Sequence, residues 1–589
     1  MSRNNYIQNK SLRTFFIASI LTSLVSQINT LIDGVIVSHF VSPDALSALN
    51  LANPVMLILY LFAGMVSMGS SVMVTKEIGM QNYPKVSRLF VSGVLIAVFV
   101  TAFIAVGLII ISDNIAGLLT NEWRLLPLLQ SYLPVAFIGS IATAAATLAM
   151  VFTKSSGHPE LATRAVIISS SSNIVLDLLF VCVFSMGLKG AACASALSIL
   201  FSFIFLIYHL FEKKSFISWT KPETEWFFPY SKTLVINGIP YAVSAIATAI
   251  LFAALNMFVQ KAQGADGMFI LSVSIQMMML CMLVLGGAAG SVTGIGGVML
   301  GEGDIDGYRT LVGSVLKKSA IALAAISVIL MASPDLLARM FGAGDDLLRT
   351  SRGPLRLICS AFLPLGILTI LDSSFLLQGH RTLSSFLSSL YVICLIPIVW
   401  AASVFCPEYL WHAIPAGLWA IFLILLVWLY AISWKNKDLH WFTLISKYPN
   451  DPSTSLSVNY DRASVQEALK KIHSFLDVCE LDQSLYYKVD SCLDELTGNL
   501  ISMTEETGKS GSFDLRAVDT GKKLLITMKD DGKPYNPIIK YDATSGANPE
   551  DANLALVILN AFCPDLNYKY MNGINCVYMN FPYGKLNSP

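Results

Sequence analysis

Residues 173–184 read NIVLDLLFVCVF, and the acidic residue Asp177 stands in the middle of this apolar run. With the residues before it, the run is long enough to cross a bilayer as a helix. A carboxylate there costs roughly 2.5 to 3.5 kcal/mol, so such acids usually face a cavity or a partner and mark an ion or proton path. Asn173 lies one helical turn earlier, on the same face. Asp33 is a second acid in an apolar run; the alternative role for both is a protonated hydrogen bond between helices.

The composition is that of a polytopic membrane protein followed by a polar domain. The 589 residues are 54% hydrophobic, with a mean hydropathy of +0.63, which is too apolar for one soluble domain. The net charge of zero divides into 23 Lys+Arg against 19 Asp+Glu up to residue 434, and 16 against 20 beyond it. Neither part is basic enough to suggest nucleic acid as a partner. The ten cysteines have no CxxC and no metal-ligand spacing, and the N-terminus has no convincing signal-peptide cleavage site.

Twelve apolar windows of about 20 residues predict twelve membrane-spanning helices, because open strand edges cannot be satisfied in lipid. The N-terminal segment and the loops after even-numbered windows hold 16 of the first 23 basic residues. Both ends of the membrane part are therefore expected to face the cytoplasm, in a multi-pass protein of the plasma membrane. The windows are 14–36, 51–74, 89–111, 128–151, 163–186, 190–211, 233–259, 269–298, 312–333, 355–378, 382–405 and 410–434.

Two loop features recur at one offset and indicate an internal duplication. Gly79 and Gly301 are 222 positions apart, and the Gly-His pairs at 157–158 and 379–380 are separated by the same number. Two six-span copies in the same topology are typical of transporters whose substrate cavity lies between pseudo-symmetric bundles. The sequence therefore predicts two six-helix lobes.

The acids of the first lobe are not duplicated. At the repeat offset, Asp33 falls on Leu255 and Asp177 falls on Val399. A structural role common to both lobes would more often be duplicated, so the asymmetry favours a functional role. Asp372, in the tenth window, is either a polar site of the second lobe or a simple hydrogen-bonded acid.

The pattern changes after residue 434 to that of a small α+β domain. Residues 462–476 and 482–503 have helical periodicity, and short alternating runs at 512–518, 523–529 and 576–581 indicate antiparallel strands. The predicted organisation is an N-terminal lobe (1–222), a C-terminal lobe (223–434), a linker (435–454) and a cytoplasmic domain (455–589).

The membrane part resembles the multidrug and toxic compound extrusion (MATE) family of cation-coupled antiporters over about residues 10–434. The runs LIDGVIVSHFVSPDALSALN (31–50), SSNIVLDLLFV (171–181) and GLKGAACASALS (187–198) carry the resemblance. It implies a first-lobe site for H⁺ or Na⁺, built from an acid in the first span, an Asn and Asp pair in the fifth and a hydroxyl in the sixth. These roles fall on Asp33, Asn173, Asp177 and Ser195, and Asp33 and Asp177 would bind Na⁺ directly.

The tail resembles the GHKL-type ATP-binding fold, in its anti-sigma-factor serine kinase branch. The run DELTGN (494–499) matches the family's helix motif, and DDGKP (530–534) matches D-x-G-x-P. The resemblance implies that Glu495 is a water-activating general base and Asn499 a Mg²⁺ ligand. It also implies that Asp530 reads the adenine amino group, while Gly532 lets the backbone approach the base.

The tail departs from the family pattern at the phosphate-binding loop. A glycine-rich stretch is expected where this chain has DANLALVIL (551–559), and side chains at Asn553 and Ala555 would crowd the phosphates. Gly546 is a candidate substitute. The chain also lacks the P-loop motif, so P-loop ATP hydrolysis does not drive transport. A regulatory domain is favoured over a catalytic one, and ATP with Mg²⁺ is its candidate ligand.

Together these features predict a cation-coupled antiporter, not an enzyme, that exports small organic compounds of cationic or amphipathic character by alternating access. The expected partners are the lipid bilayer, a small-molecule substrate and a cytoplasmic regulatory protein. Two alternatives stay open. One is a lipid or lipid-linked-sugar flippase of the same superfamily, which a basic cavity would favour. The other is a membrane-anchored serine kinase-type signalling protein.

Overall fold

The structure is a computed structural model. It describes residues 3–120, 122–211, 217–341, 343–446, 451–479, 481–507, 511–538 and 559–583. Two compact units are present, Phe15–Ile445 and a second unit that combines Met1–Thr14 with Ser446–Pro589. The first unit carries the membrane spans, and the second is the tail domain together with the N-terminal segment.

Within the described residues, twelve helical spans are long and apolar enough to cross a membrane, as the hydropathy windows predict. Large apolar side chains on their outer surfaces, such as Phe99, Phe103 and Ile110, are more than two-thirds exposed, as lipid-facing residues are. The helices of this unit are α1 (Tyr6–Ile36), α2 (Pro43–Gly79), α3 (Tyr83–Ile110), α4 (Ser112–Leu119), α5 (Leu126–Ser155), α6 (Pro159–Asp177), α7 (Gly187–Leu210), α8 (Thr224–Gly301), α9 (Ile305–Ala332), α10 (Pro334–Met340), α11 (Asp345–Cys359), α12 (Phe362–Gln378), α13 (Arg381–Phe405) and α14 (Leu410–Lys435).

Helix α8 contains two spans. Its backbone breaks at Gly264, where φ is 60° and ψ is −139°, a conformation that glycine adopts without steric cost. The segments on either side, Thr224–Gly264 and Asp266–Gly301, are the seventh and eighth spans. The two windows predicted here are therefore confirmed as separate spans.

The duplication is visible as a reciprocal contact between the lobes. A Cβ atom built on Gly79 would lie 2.2 Å from the carbonyl oxygen of Val298, and one built on Gly301 would lie 2.1 Å from the carbonyl oxygen of Lys76. Lys76 and Val298 are themselves 222 positions apart, so each lobe makes the same contact with the other. This self-complementary arrangement is that of a two-fold interface. Only glycine allows the ends of α2 and α8 to approach so closely.

Two π-helical segments follow the helices that carry the first-lobe acids. Val37–Val41 continues α1 after Asp33, and Leu178–Val183 continues α6 directly after Asp177. Such segments are rare and occur frequently at functional sites. No sequence pattern predicted these two segments.

The tail domain is a five-stranded antiparallel sheet in the order β1-β2-β3-β5-β4, with two helices packed on it. Three strands coincide with the predicted alternating runs, whereas β1 and β4 were not predicted. The core between sheet and helices includes Val458, Ile472, Leu493 and Phe513, all fully buried. The elements are β1 (Ser453–Asn459), α15 (Arg462–Val478), α16 (Gln483–Thr507), β2 (Ser512–Asp519), β3 (Lys523–Asp530), β4 (Asp565–Met571) and β5 (Ile574–Pro582).

Candidate functional site

Four polar side chains of α1 and α6 come together inside the first lobe. Nδ2 of Asn29 donates to Oδ1 of Asn173 at 2.8 Å and to Oδ2 of Asp33 at 3.2 Å. The carboxyl groups of Asp33 and Asp177 face each other closely enough to interact electrostatically. Asn173 and Asp177 are each only 2% exposed, and Asp33 is half-buried. The structure thus brings together three of the four predicted site residues and adds Asn29 as the bridge.

Several oxygen atoms in this group are buried without a hydrogen-bond donor. Within the described part of the chain, Oδ1 of Asn29, Oδ1 of Asp33 and Oδ1 of Asp177 have no hydrogen-bond partner. A buried polar atom without a partner costs about 1 to 3 kcal/mol, and more for a charged group. Carboxylate and amide oxygens can be satisfied by a proton on a carboxylate or by a hard cation. The group therefore has the chemistry of a site for H⁺ or Na⁺.

The other predicted membrane residues have different surroundings. Ser195 lies half-buried in α7, and its backbone carbonyl accepts a hydrogen bond from Oγ of Ser198. Within the described residues, the hydroxyl of Ser195 makes no hydrogen bond to Asp33 or Asp177. Asp372 is in the second lobe and faces the hydroxyls of Ser384 and Ser388 on α13. It therefore stands apart from the first-lobe group.

Tyr132 is a neighbour of the acidic group that sequence reasoning missed. It lies on α5, close enough to Asp33 for an electrostatic interaction. A tyrosine within an apolar span is too common to carry a signal by itself, and no spacing links it to the acids of α1 and α6. Its hydroxyl can donate to an ionised carboxylate.

A cavity of about 290 Å³ lies between the two lobes. Its walls come from α1, α2, α5 and α8, and the first-lobe acids do not line it. Lys154, in the last turn of α5, does line it, together with Phe15 and Tyr241. Lys154 lies beyond the fourth predicted window, which ends at residue 151, so the hydropathy pattern predicts a loop position for it.

The adenine-type motif of the tail forms a buried turn at the end of β3. Oδ1 of Asp530 accepts from the backbone nitrogen of Gly532 at 2.7 Å and from Nδ2 of Asn575 at 3.0 Å, which fixes the orientation of the carboxylate. A Cβ atom on Gly532 would lie 2.7 Å from that same oxygen, so only glycine fits. Burial, and then the charge of Asp530, raises the pKa of the Tyr535 phenol beside it. The turn is consistent with the predicted role of Asp530 as an acceptor for an amino group.

The other predicted nucleotide residues lie on α16. Glu495 and Asn499 are one turn apart on one face, both half-buried, and neither makes a side-chain hydrogen bond within the described residues. Their donor set suits Mg²⁺, which prefers oxygen ligands. The predicted deviations at Gly546, Asn553 and Ala555 lie outside the described residues.

The N-terminal segment packs on the tail domain within one compact unit. The hydroxyl of Tyr6 and the ammonium of Lys10 both donate to Oδ2 of Asp531, at 3.0 Å and 2.5 Å. The hydroxyl of Tyr460 donates to the other oxygen of Asp531 at 3.0 Å. The Asp531 side chain is only 1% exposed and that of Lys10 is 41% exposed, so this is a partly buried ion pair with two additional hydrogen bonds to the carboxylate. Asp531 directly follows Asp530 in the chain.

Two further contacts extend the packing of the segment along β1 and β2. The backbone nitrogen of Asn4 donates to Oγ of Ser457 at 2.8 Å, and its side-chain amide donates to Oγ of Ser512 at 3.0 Å. Nε of Arg3 lies 3.5 Å from Oδ2 of Asp514. Residues 3–10 are therefore a structural part of the tail domain, which no sequence pattern indicated.

Comparison with known families matches both parts of the chain. Residues 18–179 and 240–401 each match the MatE family, again at an offset of 222. The chain belongs to the MatE family. This confirms the MATE resemblance and the duplicated lobes. Residues 458–581 of this MatE protein match the histidine kinase-like ATPase domain, which confirms the GHKL resemblance of the tail.

Curated relatives of this MatE protein include two multidrug export proteins named MepA. MepA of Staphylococcus aureus (strain bovine RF122 / ET3-1) is 25% identical over 264 residues, which cover 42% of this chain and 55% of MepA. MepA of Staphylococcus saprophyticus is 23% identical over 256 residues, with the same coverage. The chain therefore matches about half the length of these relatives.

Solved structures show the same fold for the membrane part. An outward-facing multidrug resistance MATE family transporter of the MOP superfamily aligns with a TM-score of 0.67 and 19% identity. A MOP superfamily transporter from Pyrococcus furiosus aligns with a TM-score of 0.66 and 19% identity. Each alignment covers 74% of this chain and all of the solved chain.

Proposed function

We propose that this MatE protein is a cation-coupled antiporter of the plasma membrane that exports small organic compounds by alternating access. The observation that carries the proposal is the buried group of Asn29, Asp33, Asn173 and Asp177, with three oxygen atoms that lack a donor. Two carboxylates that face each other cannot both ionise cheaply, so H⁺ or Na⁺ is their natural counter-charge. The absence of these acids from the second lobe supports one coupling site for each protein.

The acidic group of Asp33 and Asp177 and the glycine contact of Gly79 and Gly301 lie toward opposite ends of the membrane spans. Asp33 follows Tyr6 by 27 residues of α1, which is about 40 Å of helix. In the predicted topology Asp33 and Asp177 therefore lie in the outer half of the first lobe. In the same predicted topology, the contact of Gly79 and Gly301 between the lobes lies at the cytoplasmic ends of α2 and α8. We infer that this contact closes the cytoplasmic side in the present conformation, so that a cation would reach the acids from outside.

Coupling requires that the outward-open and the inward-open conformations differ in their affinity for the cation. A cation entering from outside gains about 2.3 kcal/mol per 100 mV of membrane potential, if it crosses the whole field. A ligand shifts a conformational equilibrium only by its differential affinity for the two states. Cation binding at Asp33 and Asp177 would favour the state that releases substrate outside, and cation release inside would reset the cycle.

Export by reconstituted vesicles under separately imposed H⁺ and Na⁺ gradients tests the proposal. The probes are a panel of fluorescent anionic and cationic amphiphiles. We expect one gradient to drive export several-fold faster than no gradient. Equal export rates with and without both gradients would contradict cation coupling.

We also propose that the tail regulates the transporter in response to an adenine nucleotide, and that the N-terminal segment carries the signal. Tyr6 and Lys10 bind Asp531, which is adjacent to Asp530, the residue predicted to read the adenine amino group. The same residues begin α1, the helix that carries Asp33. A nucleotide that displaces the Asp530–Asp531 turn would weaken the hydrogen bonds of Tyr6 and Lys10 to Asp531, and thereby the packing of the first turns of α1 on the tail domain. A cytoplasmic protein that binds the tail would act by the same route.

Lys10→Met should loosen the N-terminal segment. The change removes the ammonium that donates to the Asp531 carboxylate, and a hydrogen bond to a charged group is worth about 1.5 to 3 kcal/mol. Hydrogen exchange of the full-length protein in nanodiscs should therefore become about tenfold faster or more over residues 3–14. Lys470→Met, at an exposed position of α15, is the matched control and should change nothing. Unchanged exchange in Lys10→Met would mean that the ion pair does not hold the segment.

Asp530→Asn should weaken ATP binding by the full-length protein. A carboxylate that accepts the adenine amino group contributes about 1.5 to 3 kcal/mol, so the dissociation constant should rise roughly tenfold or more. Equilibrium dialysis with labelled ATP and Mg²⁺ measures it. Asp477→Asn, on the exposed face of α15, should bind as the wild type does. If the wild-type protein binds no ATP, the nucleotide part of the proposal is wrong.

A further inference from the structure

The cavity between the lobes carries one charge, and that charge is positive. Of the described residues that line it, Lys154 alone is ionisable at neutral pH, and no carboxylate faces it from any of the four helices. Lys154 makes no ion pair or hydrogen bond with its side chain within the described residues. A half-buried ammonium with no anionic partner is costly, so it favours a ligand that supplies the negative charge.

The rest of the cavity wall adds hydrogen-bond donors near an apolar surface. The hydroxyls of Ser67, Ser71, Ser155 and Tyr241 line the cavity, and within the described residues none donates to another protein group. They can therefore donate to a ligand oxygen. Aromatic and aliphatic walls, including Phe15, complete the lining. Convergent donors set in an apolar wall are typical of a site that orients an amphipathic ligand.

We propose that Lys154 selects substrates that carry an acidic group, so that this transporter exports compact monoanionic amphiphiles in preference to cations. The acidic group, a carboxylate or a sulfonate, binds the ammonium of Lys154 and the neighbouring hydroxyls, and the apolar body lies against Phe15. The inference rests on the proposed transport function, and it narrows the expected range of cationic or amphipathic substrates to acidic amphipathic ones.

The volume and the position of Lys154 agree with this substrate class. About 290 Å³ accommodates a compound with one or two rings and is small for a lipid-linked sugar. Lys154 lies in the last turn of α5, where the partial negative charge of the helix end favours a cation. The helix end therefore supports a positive charge on Lys154 although no acidic side chain of the described residues lines the cavity.

Two probes of the same size and opposite charge test the proposal. Equilibrium binding of 2-naphthalenesulfonate and of (2-naphthyl)trimethylammonium is measured with the full-length protein in nanodiscs of neutral lipid. Empty nanodiscs give the correction for lipid partitioning. We expect the sulfonate to bind at least about tenfold more tightly than the ammonium compound, which corresponds to about 1.4 kcal/mol.

Variants of Lys154 connect the selectivity to this residue. Lys154→Gln keeps the length of the side chain without its charge, and should weaken sulfonate binding about tenfold without weakening binding of the ammonium compound. Lys154→Arg should restore sulfonate binding. Tighter binding of the ammonium compound by the wild type, or equal loss of both probes in Lys154→Gln, would overturn the proposal. Neither measurement uses an ion gradient, so a failure of cation coupling would leave the result unchanged and would appear only in the vesicle experiments.

Discussion

Asp177→Asn is expected to abolish cation-driven export. The substitution keeps the shape of the side chain and removes the charge that attracts the coupling ion, so cation binding no longer favours one conformation. Shifting a two-state equilibrium from 1:99 to 99:1 needs an affinity difference of about 10⁴-fold, which one amide and one remaining carboxylate do not supply. Export driven by a gradient should fall by at least roughly 100-fold. Initial rates in reconstituted vesicles, normalised to the amount of folded protein, measure the loss.

The matched control for this loss is Asp372→Asn. Asp372 is also an acid within a span, but it lies in the second lobe beside Ser384 and Ser388, away from the first-lobe group. The Asp372→Asn variant should retain most of the wild-type rate of gradient-driven export. A wild-type rate in Asp177→Asn would remove Asp177 from the coupling mechanism. A complete loss in Asp372→Asn would require a second coupling site in the other lobe.

Gly301→Ala is expected to prevent the lobes from closing at the cytoplasmic ends of α2 and α8. The new methyl group would lie 2.1 Å from the carbonyl oxygen of Lys76, and backbone cannot yield as a flexible side chain can. Overpacking of this kind costs about 1 to 3 kcal/mol. It should shift the equilibrium away from the closed state roughly 5- to 150-fold, and transport should fall because one state is depleted.

Thiol labelling measures this shift directly. In a Ser71→Cys background, the introduced thiol lines the cavity between the lobes. A membrane-impermeant maleimide applied from the side of residues 79 and 301 should label it faster when Gly301→Ala is present. Gly107→Ala is the matched control, because nothing lies within 4 Å of its Cβ position. Equal labelling of both variants would show that the Gly79–Gly301 contact does not gate the cavity.

The twelve spans and the two lobes were predictable because they depend on local features of the sequence, namely apolar stretches and repeated loop residues. Each span must be apolar along its whole length, because lipid offers its backbone no hydrogen bonds. The duplication left paired glycines at 79 and 301, and the structure gives the physical reason: the two copies of that glycine meet at the interface between the lobes. Asp33 and Asp177 could be singled out because an ionisable group within a span is expensive.

Other parts of the candidate sites depend on contacts between distant residues, which no periodicity reveals. Lys154 was assigned to a loop because the hydropathy window ended one turn before the end of α5, and that turn places it in the cavity wall. The bridging role of Asn29 depends on how α1 packs against α6. The binding of Lys10 to Asp531 joins residues that are 521 positions apart.

Ion movement driven by substrate is the most direct test of the coupling site formed by Asp33 and Asp177. Vesicles without an initial ion gradient receive a substrate gradient, and dyes sensitive to pH and to Na⁺ inside the vesicles report the countermovement of the coupling ion. If the two acids bind that ion, the wild type moves H⁺ or Na⁺ against the flow of substrate, and the double variant Asp33→Asn/Asp177→Asn moves neither. Ion countermovement at the wild-type rate in the double variant would contradict the assignment.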